Sequence, residues 1–353
     1  MKLIGNEDII GQINIAITSA RQQNRSIPHM LLSGAAGCGK TSTAKYIAEF
    51  TGSNLIVASA DSAKKREDVL YIIDQLNHNG YDKYGRKIST ISPSIVFIDE
   101  VHNVPLPGQE HLGIIMEEWY LPVTKREAHV DAKNVKFRSN AIRWSPEFTL
   151  IGATTNDGKL SKPFRDRFKL RFLFSPYTEK ESHDIVMVHA KRLGIQVDTA
   201  AATEISKRGR GVPRVLVSLL ERCRDTAVAS NQFVKHNSLT VIHHVTKEVA
   251  IVTFHNLGID NTGLTVTDIN ILKALYESED AVGLDNLAVR LNESTKVLSE
   301  TVEPYLIQRG LIIRTGKGRK ITDAGIQYLM ENGHIKFKLS EKFDIPRNFD
   351  RGL

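Results

Sequence analysis

An α/β domain on a mainly parallel sheet, a small all-α domain and a C-terminal winged helix make up the fold that this sequence predicts. Three observations lead to it. From residue 29 to about 175, short apolar runs alternate with amphipathic segments, the order in which helices cover a parallel sheet. After Pro176 the strand-like runs stop and helical periodicity takes over. From about 266 to 332, three helical segments precede two β-prone runs around a Gly-Lys-Gly turn, the plan of a winged helix.

The strands of the first domain read as "HMLLS", "NLIVASA", "SIVFID", "FTLIGATT" and "RFLFS", with helices between most of them. At 178–181, "TEKE" is a capping-box pattern that opens a helix. "AAATEISKRGR", "PRVLVSLLERCRDTAVA" and "LTVIHHVTKEVAI" continue the helical period. The polar segment "NLGIDNTGLT" (256–265), with Gly258 and Gly263, reads as a linker, and "LIIRTGKGRKIT" supplies the hairpin. The expected domains are 1–175, 176–262 and 263–335, followed by a basic tail over 336–353.

A chain of 353 residues has room for two or three domains, and 41% hydrophobic with 25% charged residues is the balance of a soluble globular protein. The net charge of +7 and pI of about 9.2 point to an anionic partner. Nucleic acid ranks ahead of membrane, because no basic amphipathic helix flanks an apolar span. Cys38 and Cys223 make neither a CxxC pair nor a disulfide framework, which fits a reducing compartment without structural zinc. Acids in "MKLIGNEDII" argue against a signal peptide, and no apolar run approaches the roughly 18 residues of a membrane span. A cytoplasmic location is expected.

The first chemistry lies in "GAAGCGKTS" (34–42), between "HMLLS" and the helical "TAKYIAEF". A Gly-rich turn from strand to helix gathers backbone N–H groups into a hollow, and the helix N-terminus adds partial positive charge, so the hollow binds phosphate. Gly34, Gly37 and Gly39 permit the tight path, Lys40 reaches the β- and γ-phosphates, and the Thr41 hydroxyl holds Mg2+. Residues 34–41 fit the pattern GxxxxGK[ST], and with Ser42, the next residue, they suit a nucleoside triphosphate such as ATP. "SIVFIDE" ends a buried strand in Asp99 and Glu100, where open α/β sheets present their ligand site. Asp99 suits the magnesium shell; Glu100 suits orienting and deprotonating the attacking water.

"LIGATTND" (150–157) brings Thr155 or Asn156 to the γ-phosphate or the water. In "LSKPFRDRF" (160–168), Arg165 and Arg167 follow that strand at the distance expected of an arginine finger that reaches a neighbouring subunit's nucleotide. "RGRGVPRV" (208–215) puts Arg214 in the first turn of a helix, from where it touches the same nucleotide. "LIQRGLIIRTGKGRK" carries Arg309, Arg314, Lys317, Arg319 and Lys320 with no acid among them, which suits phosphate contacts along a duplex without reading base edges.

The order of these motifs is that of an AAA+ ATPase. "VFIDEVHNV", "FTLIGATTNDGKLSKPFRDRF", "RGRGVPRV" with "RCRDTA", and "EPYLIQRGLIIRTGKGRKIT" resemble stretches of the RuvB family of Holliday-junction branch-migration motors, from roughly Ile4 to Leu329. The resemblance implies a large P-loop ATPase domain, a helical lid and a winged helix. It also implies ATP hydrolysis coupled to movement on double-stranded or branched DNA, in a ring that is a hexamer. By that resemblance Lys40 and Thr41 are the phosphate and magnesium residues, Asp99 and Glu100 the Walker B pair, and Thr155 the first sensor. Arg167 is the finger, with Arg165 as fallback, and Arg214 is the second sensor. The alternative is an AAA+ helicase loader or initiator-like ATP switch that binds DNA without translocating.

The chain departs from the family in four places. Ala35 and Ala36 replace two prolines, and Cys38, in a variable position, is a target for alkylation if exposed. The resemblance begins almost at Met1, so the family's N-terminal extension that helps enclose the adenine is expected to be nearly absent. Between Leu121 and Trp144 the family has a hairpin whose apolar tip docks on the adaptor RuvA. Here "VTKREAHVDAKNVKFRSNAIRW" is polar and basic, which suits a different adaptor, or nucleic acid met through Lys125, Arg126, Lys133, Lys136 and Arg138.

Overall fold

The computed structural model describes residues 3–78, 93–122, 142–230, 233–236, 240–278 and 280–335. They fall into two compact units, Met1–Thr246 and Lys247–Leu353.

In the first unit, α1 (Glu7–Gln22), β1 (Met30–Gly34), α2 (Lys40–Thr51), β2 (Leu55–Ser59), α3 (Arg66–His78) and β3 (Ser94–Asp99) are followed by α4 (Leu106–Glu118) and two short strands, β4 (Tyr120–Pro122) and β5 (Ile142–Trp144). Then come β6 (Phe148–Thr154), α5 (Lys162–Asp166) and β7 (Leu170–Phe174). The five apolar runs read in the sequence are the strands of one parallel sheet, in the order β2-β3-β6-β1-β7. The burial pattern follows strand position. Ile95–Ile98 of β3 and all of β6 are buried, as inner strands covered on both faces must be, whereas the edge strand β2 alternates.

Successive residues of each inner strand feed opposite cores. Leu31, Val96, Ile98 and Leu150 pack with Ile72 and Ile73 of α3 and Leu112 and Ile115 of α4. Met30, Leu32, Ile95, Phe97 and Ile151 pack on the other face, against Ile13, Ile17 and Ala20 of α1 and Ala44 and Ile47 of α2. This sandwich fixes the carboxyl ends of β1, β3 and β6 side by side, with Ser33 paired to Thr154 and Ile98 to Gly152. Those ends carry the candidate site. β4 and β5 pair antiparallel and are tied to α3 by the Arg143–Asp74 ion pair. The residues between them, including Lys125, Arg126, Lys133, Lys136 and Arg138, lie outside the described residues.

The rest of this unit is mainly helical: α6 (Glu179–Leu193), α7 (Thr199–Arg208) and α8 (Pro213–Ala229). The capping box at the start of α6 forms as read, with Thr178 N donating to Glu181 Oε2 at 2.8 Å and Glu181 N to Thr178 Oγ1 at 3.2 Å. One expectation is corrected. In "LTVIHHVTKEVAI" only the end is helical; Thr240–Val245 is a strand. With β8 (Gln196–Val197) and β9 (Phe233–His236) it forms, as β10, a three-stranded sheet, parallel to β8 and antiparallel to β9. A short apolar run carries too few residues for its period to separate strand from helix, and pairing with distant β8 decides it.

In the second unit, α9 (Lys247–Asn256), α10 (Val266–Tyr276) and α11 (Leu284–Leu291) precede a helical stretch over 295–308 with a π turn at Leu298–Val302. The hairpin follows as β11 (Ile312–Thr315) and β12 (Gly318–Ile321), and helix Asp323–Glu331 closes the unit. Ile271, Leu272, Leu287, Leu306, Ile312 and Leu329 form its core. Gly318 has φ of 147°, and a Cβ there would sit 2.3 Å from the carbonyl oxygen of Val282. Only glycine lets the hairpin approach that closely and pair Arg319 with Val282. The tail 336–353 lies outside the described residues. Among those described, no helix is long and apolar enough to cross a membrane.

Candidate active site

β1 ends at Gly34 and α2 begins at Lys40, with Gly39 as its N-cap. Gly34, Gly37 and Gly39 take φ of 142°, 81° and 90°, values that strain any residue with a Cβ. A Cβ on Gly34 would also meet the Phe174 carbonyl oxygen at 2.4 Å, and one on Gly37 would lie 2.9 Å from Val212. The loop is therefore pressed between β7 and the start of α8.

The loop opens into a cleft of about 660 Å³. Gly37, Gly39, Lys40, Thr41 and Ser42 line it from α2 and the loop, Asp99 and Glu100 from the end of β3, and Arg214 from the first turn of α8. Residues far apart in sequence thus converge on one concavity at the carboxyl edge of the sheet. Lys40 Nζ donates to the carbonyl oxygens of Gly34 at 2.6 Å and Ala35 at 2.9 Å. Burial pushes its ammonium below the ordinary lysine range, against the pull of Glu100, Cys38 and Asp99. Cys38 is fully buried, and burial pushes its thiol up, so the position open to alkylation in an exposed loop is shielded here.

Glu100 sits in the left-handed region, at φ 47° and ψ 48°. Its Oε2 accepts from Thr155 N at 3.2 Å and Thr155 Oγ1 at 3.0 Å, and lies 3.1 Å from His102 Nδ1. Thr155 thus reaches the cleft by way of Glu100, while Asn156 turns its backbone N–H onto Thr154 Oγ1 at 3.0 Å. Arg165 and Arg167 are not among the described residues lining the cleft. Arg167 lies along α4, with Nη2 3.0 Å from Glu117 Oε2 and Nη1 donating to the Pro163 carbonyl oxygen at 2.7 Å. Gly113 leaves room for it: a Cβ there would stand 3.0 Å from Arg167 Nε. The Nε atoms of Arg165 and Arg167 are both buried without a hydrogen-bond partner among the described residues.

The cleft also contains side chains that the motif reading passed over. Val217, Ser218 and Glu221 follow Arg214 at helical spacing on one face of α8, and His189 enters from α6. Burial, then Arg192, hold His189 below the ordinary histidine range. The i, i+3, i+4, i+7 spacing from Arg214 was the available signal for the α8 residues. For His189 no spacing marks the role, because it meets the cleft through tertiary packing.

The structure divides the basic residues of the hairpin. Glu303, fully buried, accepts from Arg319 Nε at 2.6 Å and from Arg314 Nη2 at 2.7 Å. Arg309 Nη1 donates to the Thr262 carbonyl oxygen and to Tyr305 Oη, each at 3.0 Å. The stretch that carries no acid of its own is therefore seated on one from the preceding helix. Lys317 and Lys320 stand exposed. Replacing Glu303 by Ala should lower unfolding stability by about 2–3 kcal/mol, below the top of the range for broken buried pairs because Arg314 stays half in water. Urea unfolding of the full chain checks this.

A phosphate-binding loop after β1, an acidic pair at the end of β3, beyond β6 along the same sheet edge, and an arginine from a helical segment in one cleft define a P-loop ATPase of the AAA+ class. The comparisons narrow the class. The family model of the Holliday junction DNA helicase RuvB P-loop domain matches residues 1–173, that of the RuvB AAA lid domain matches 177–260, and that of the RuvB C-terminal winged helix domain matches 261–330. The RuvB subunit of the Holliday junction branch migration complex from Orientia tsutsugamushi is 34% identical over 328 residues, covering 92% of this chain and 91% of that protein. Its counterpart from Bdellovibrio bacteriovorus is 33% identical over 321 residues, covering 90% and 88%. The solved RuvB Holliday junction branch migration motor of Thermotoga maritima superposes with a TM-score of 0.72 at 30% identity, covering 92% of this chain and 95% of that one. This chain belongs to the RuvB family.

Proposed function

We propose that this chain is an ATP-driven motor that moves Holliday junctions or related branched DNA in recombination and repair. The observation that carries the reading is the convergence of Lys40, Thr41, Asp99, Glu100 and Arg214 on one cleft. The glycines and Ser42 cradle the phosphates with backbone N–H groups, and Lys40 exchanges its loop carbonyls for phosphate oxygens. The Thr41 hydroxyl and Asp99 carboxylate are hard oxygen donors in the same cleft, a set that fits Mg2+, which takes its other ligands from water and phosphate. When bound, that ion neutralises charge on the phosphates. Glu100 accepts a proton from the attacking water, Thr155 responds to the γ-phosphate, and Arg214 couples the lid to nucleotide state.

Arg167, with Arg165 as the alternative, reaches the nucleotide of the next subunit in a ring, which we take to be a hexamer. That both lie off their own cleft supports this role. The domains divide at 1–175, 176–262 and 263–335. The winged helix meets double-stranded DNA through its hairpin and the turn before it, where Lys317 and Lys320 are exposed, Arg309 and Arg314 are exposed but held by internal partners, and Arg319 is half-buried on Glu303. The polar, basic sequence between β4 and β5 suits an adaptor other than RuvA, or direct contact with nucleic acid, better than the apolar docking of RuvA.

The test is ATP hydrolysis and strand-product formation on a synthetic four-way junction, with linear duplex and single strand for comparison. Duplex-stimulated turnover with strand products is the expected result. Slow turnover and DNA-dependent assembly without strand products, persisting when an adaptor is supplied, would return the chain to the class of ATP-controlled DNA-binding switches.

A further inference from the structure

We propose that His102 is a positioning residue for hydrolysis, holding the Glu100 carboxylate in the orientation in which it accepts a proton. This rests on the reading of Glu100 as the group that activates water. The side chain of His102 is 8% exposed, in the single turn that follows β3. Its Nδ1 lies 3.1 Å from Glu100 Oε2 and 3.0 Å from Thr154 Oγ1. A carboxylate offers only acceptors at neutral pH, so chemistry assigns the proton to Nδ1, shared between the two oxygens. Thr154 is itself fully buried at the end of β6, where its Oγ1 accepts from Asn156 N. His102 therefore bolts Glu100 to the rigid end of an inner strand.

The consequence is a division of labour between the carboxylate oxygens. Oε2 faces three donor atoms, Thr155 N, Thr155 Oγ1 and His102 Nδ1. Its lone pairs are committed, which leaves Oε1 as the oxygen for a proton from water. The left-handed backbone at Glu100 is costly for a glutamate and persists where surroundings over-determine it. His102 supplies part of that determination. Thr155 is the partner that the γ-phosphate can recruit; His102, anchored on Thr154, keeps Glu100 in place when it does.

The test uses the full chain with His102→Leu, His102→Asn and Glu100→Gln, alone and in the Leu–Gln combination. It reads steady-state kcat and KM for ATP and the Kd of a fluorescent ADP analogue. His102→Leu should lower kcat about tenfold to a hundredfold, the scale of a misplaced catalytic group, with KM and Kd within twofold. His102→Asn, whose amide N–H reaches roughly the Nδ1 position, should restore most of kcat. In the Glu100→Gln background His102→Leu should cost nothing further. Unchanged kcat in His102→Leu overturns the proposal, as does an Asn variant no better than Leu with weakened ADP binding, the mark of a purely structural role. Normal turnover by Glu100→Gln alone would instead remove the reading on which the proposal stands.

Discussion

Glu100→Gln should bind ATP and assemble on DNA yet hydrolyse about a thousandfold more slowly, within the range of about 10²–10⁴ that general-base catalysis contributes. The substitution is nearly isosteric. Its carbonyl oxygen can keep the hydrogen bonds that Thr155 N and Oγ1 give to Oε2, and the residue tolerates the same left-handed backbone. What changes is the other position, where an NH₂ group that cannot take a proton replaces Oε1. Lys40, Thr41 and Arg214 are untouched, so affinity for nucleotide should stay within about twofold, in line with losing a transition-state contact only. Single-turnover hydrolysis alongside nucleotide retention on DNA measures both halves. Wild-type turnover would sink the assignment of Glu100 as the base.

The five parallel strands were legible because inner strands covered on both faces must be near-continuous apolar runs, as Ile95–Ile98 and Phe148–Thr154 are. The phosphate loop was legible because its chemistry is local: three glycines with positive φ and a lysine within one turn need no distant partner to be recognised. The unread parts share a different trait. Strand β10 depends on β8, the wing arginines on Glu303, Arg167 on Glu117 and Glu100 on His102 and Thr155. Apart from His102, each partner lies well away in sequence, and a charge's partner cannot be read from spacing. A run such as "LIIRTGKGRK" looks uniformly available for phosphate until a buried carboxylate claims two of its guanidinium groups.

Arg167→Ala should leave nucleotide binding intact while reducing hydrolysis about a thousandfold, at the lower end of what an arginine finger supplies. Two competing explanations for such a loss can be weighed by magnitude. The Arg167–Glu117 pair joins a side chain 23% exposed to one 55% exposed, and pairs so open to water contribute at most about 1 kcal/mol to folding. A thousandfold rate effect corresponds to about 4 kcal/mol in the barrier, so lost stability cannot produce it. An effect within the same subunit is countered by mixing. Lys40→Ala subunits lack the phosphate lysine but present an intact Arg167, whereas Arg167→Ala subunits present an intact cleft. Where the finger acts across an interface, mixtures of the two inactive variants should hydrolyse ATP at a measurable fraction of wild type. Arg165 is the control that geometry demands, since its Nε, like that of Arg167, is buried with no hydrogen-bond partner among the described residues. Complementation by Lys40→Ala of the Arg165→Ala variant, with none for Arg167→Ala, would move the finger to Arg165. Failure of both would place the chain outside the class of motors whose hydrolysis depends on the neighbouring subunit.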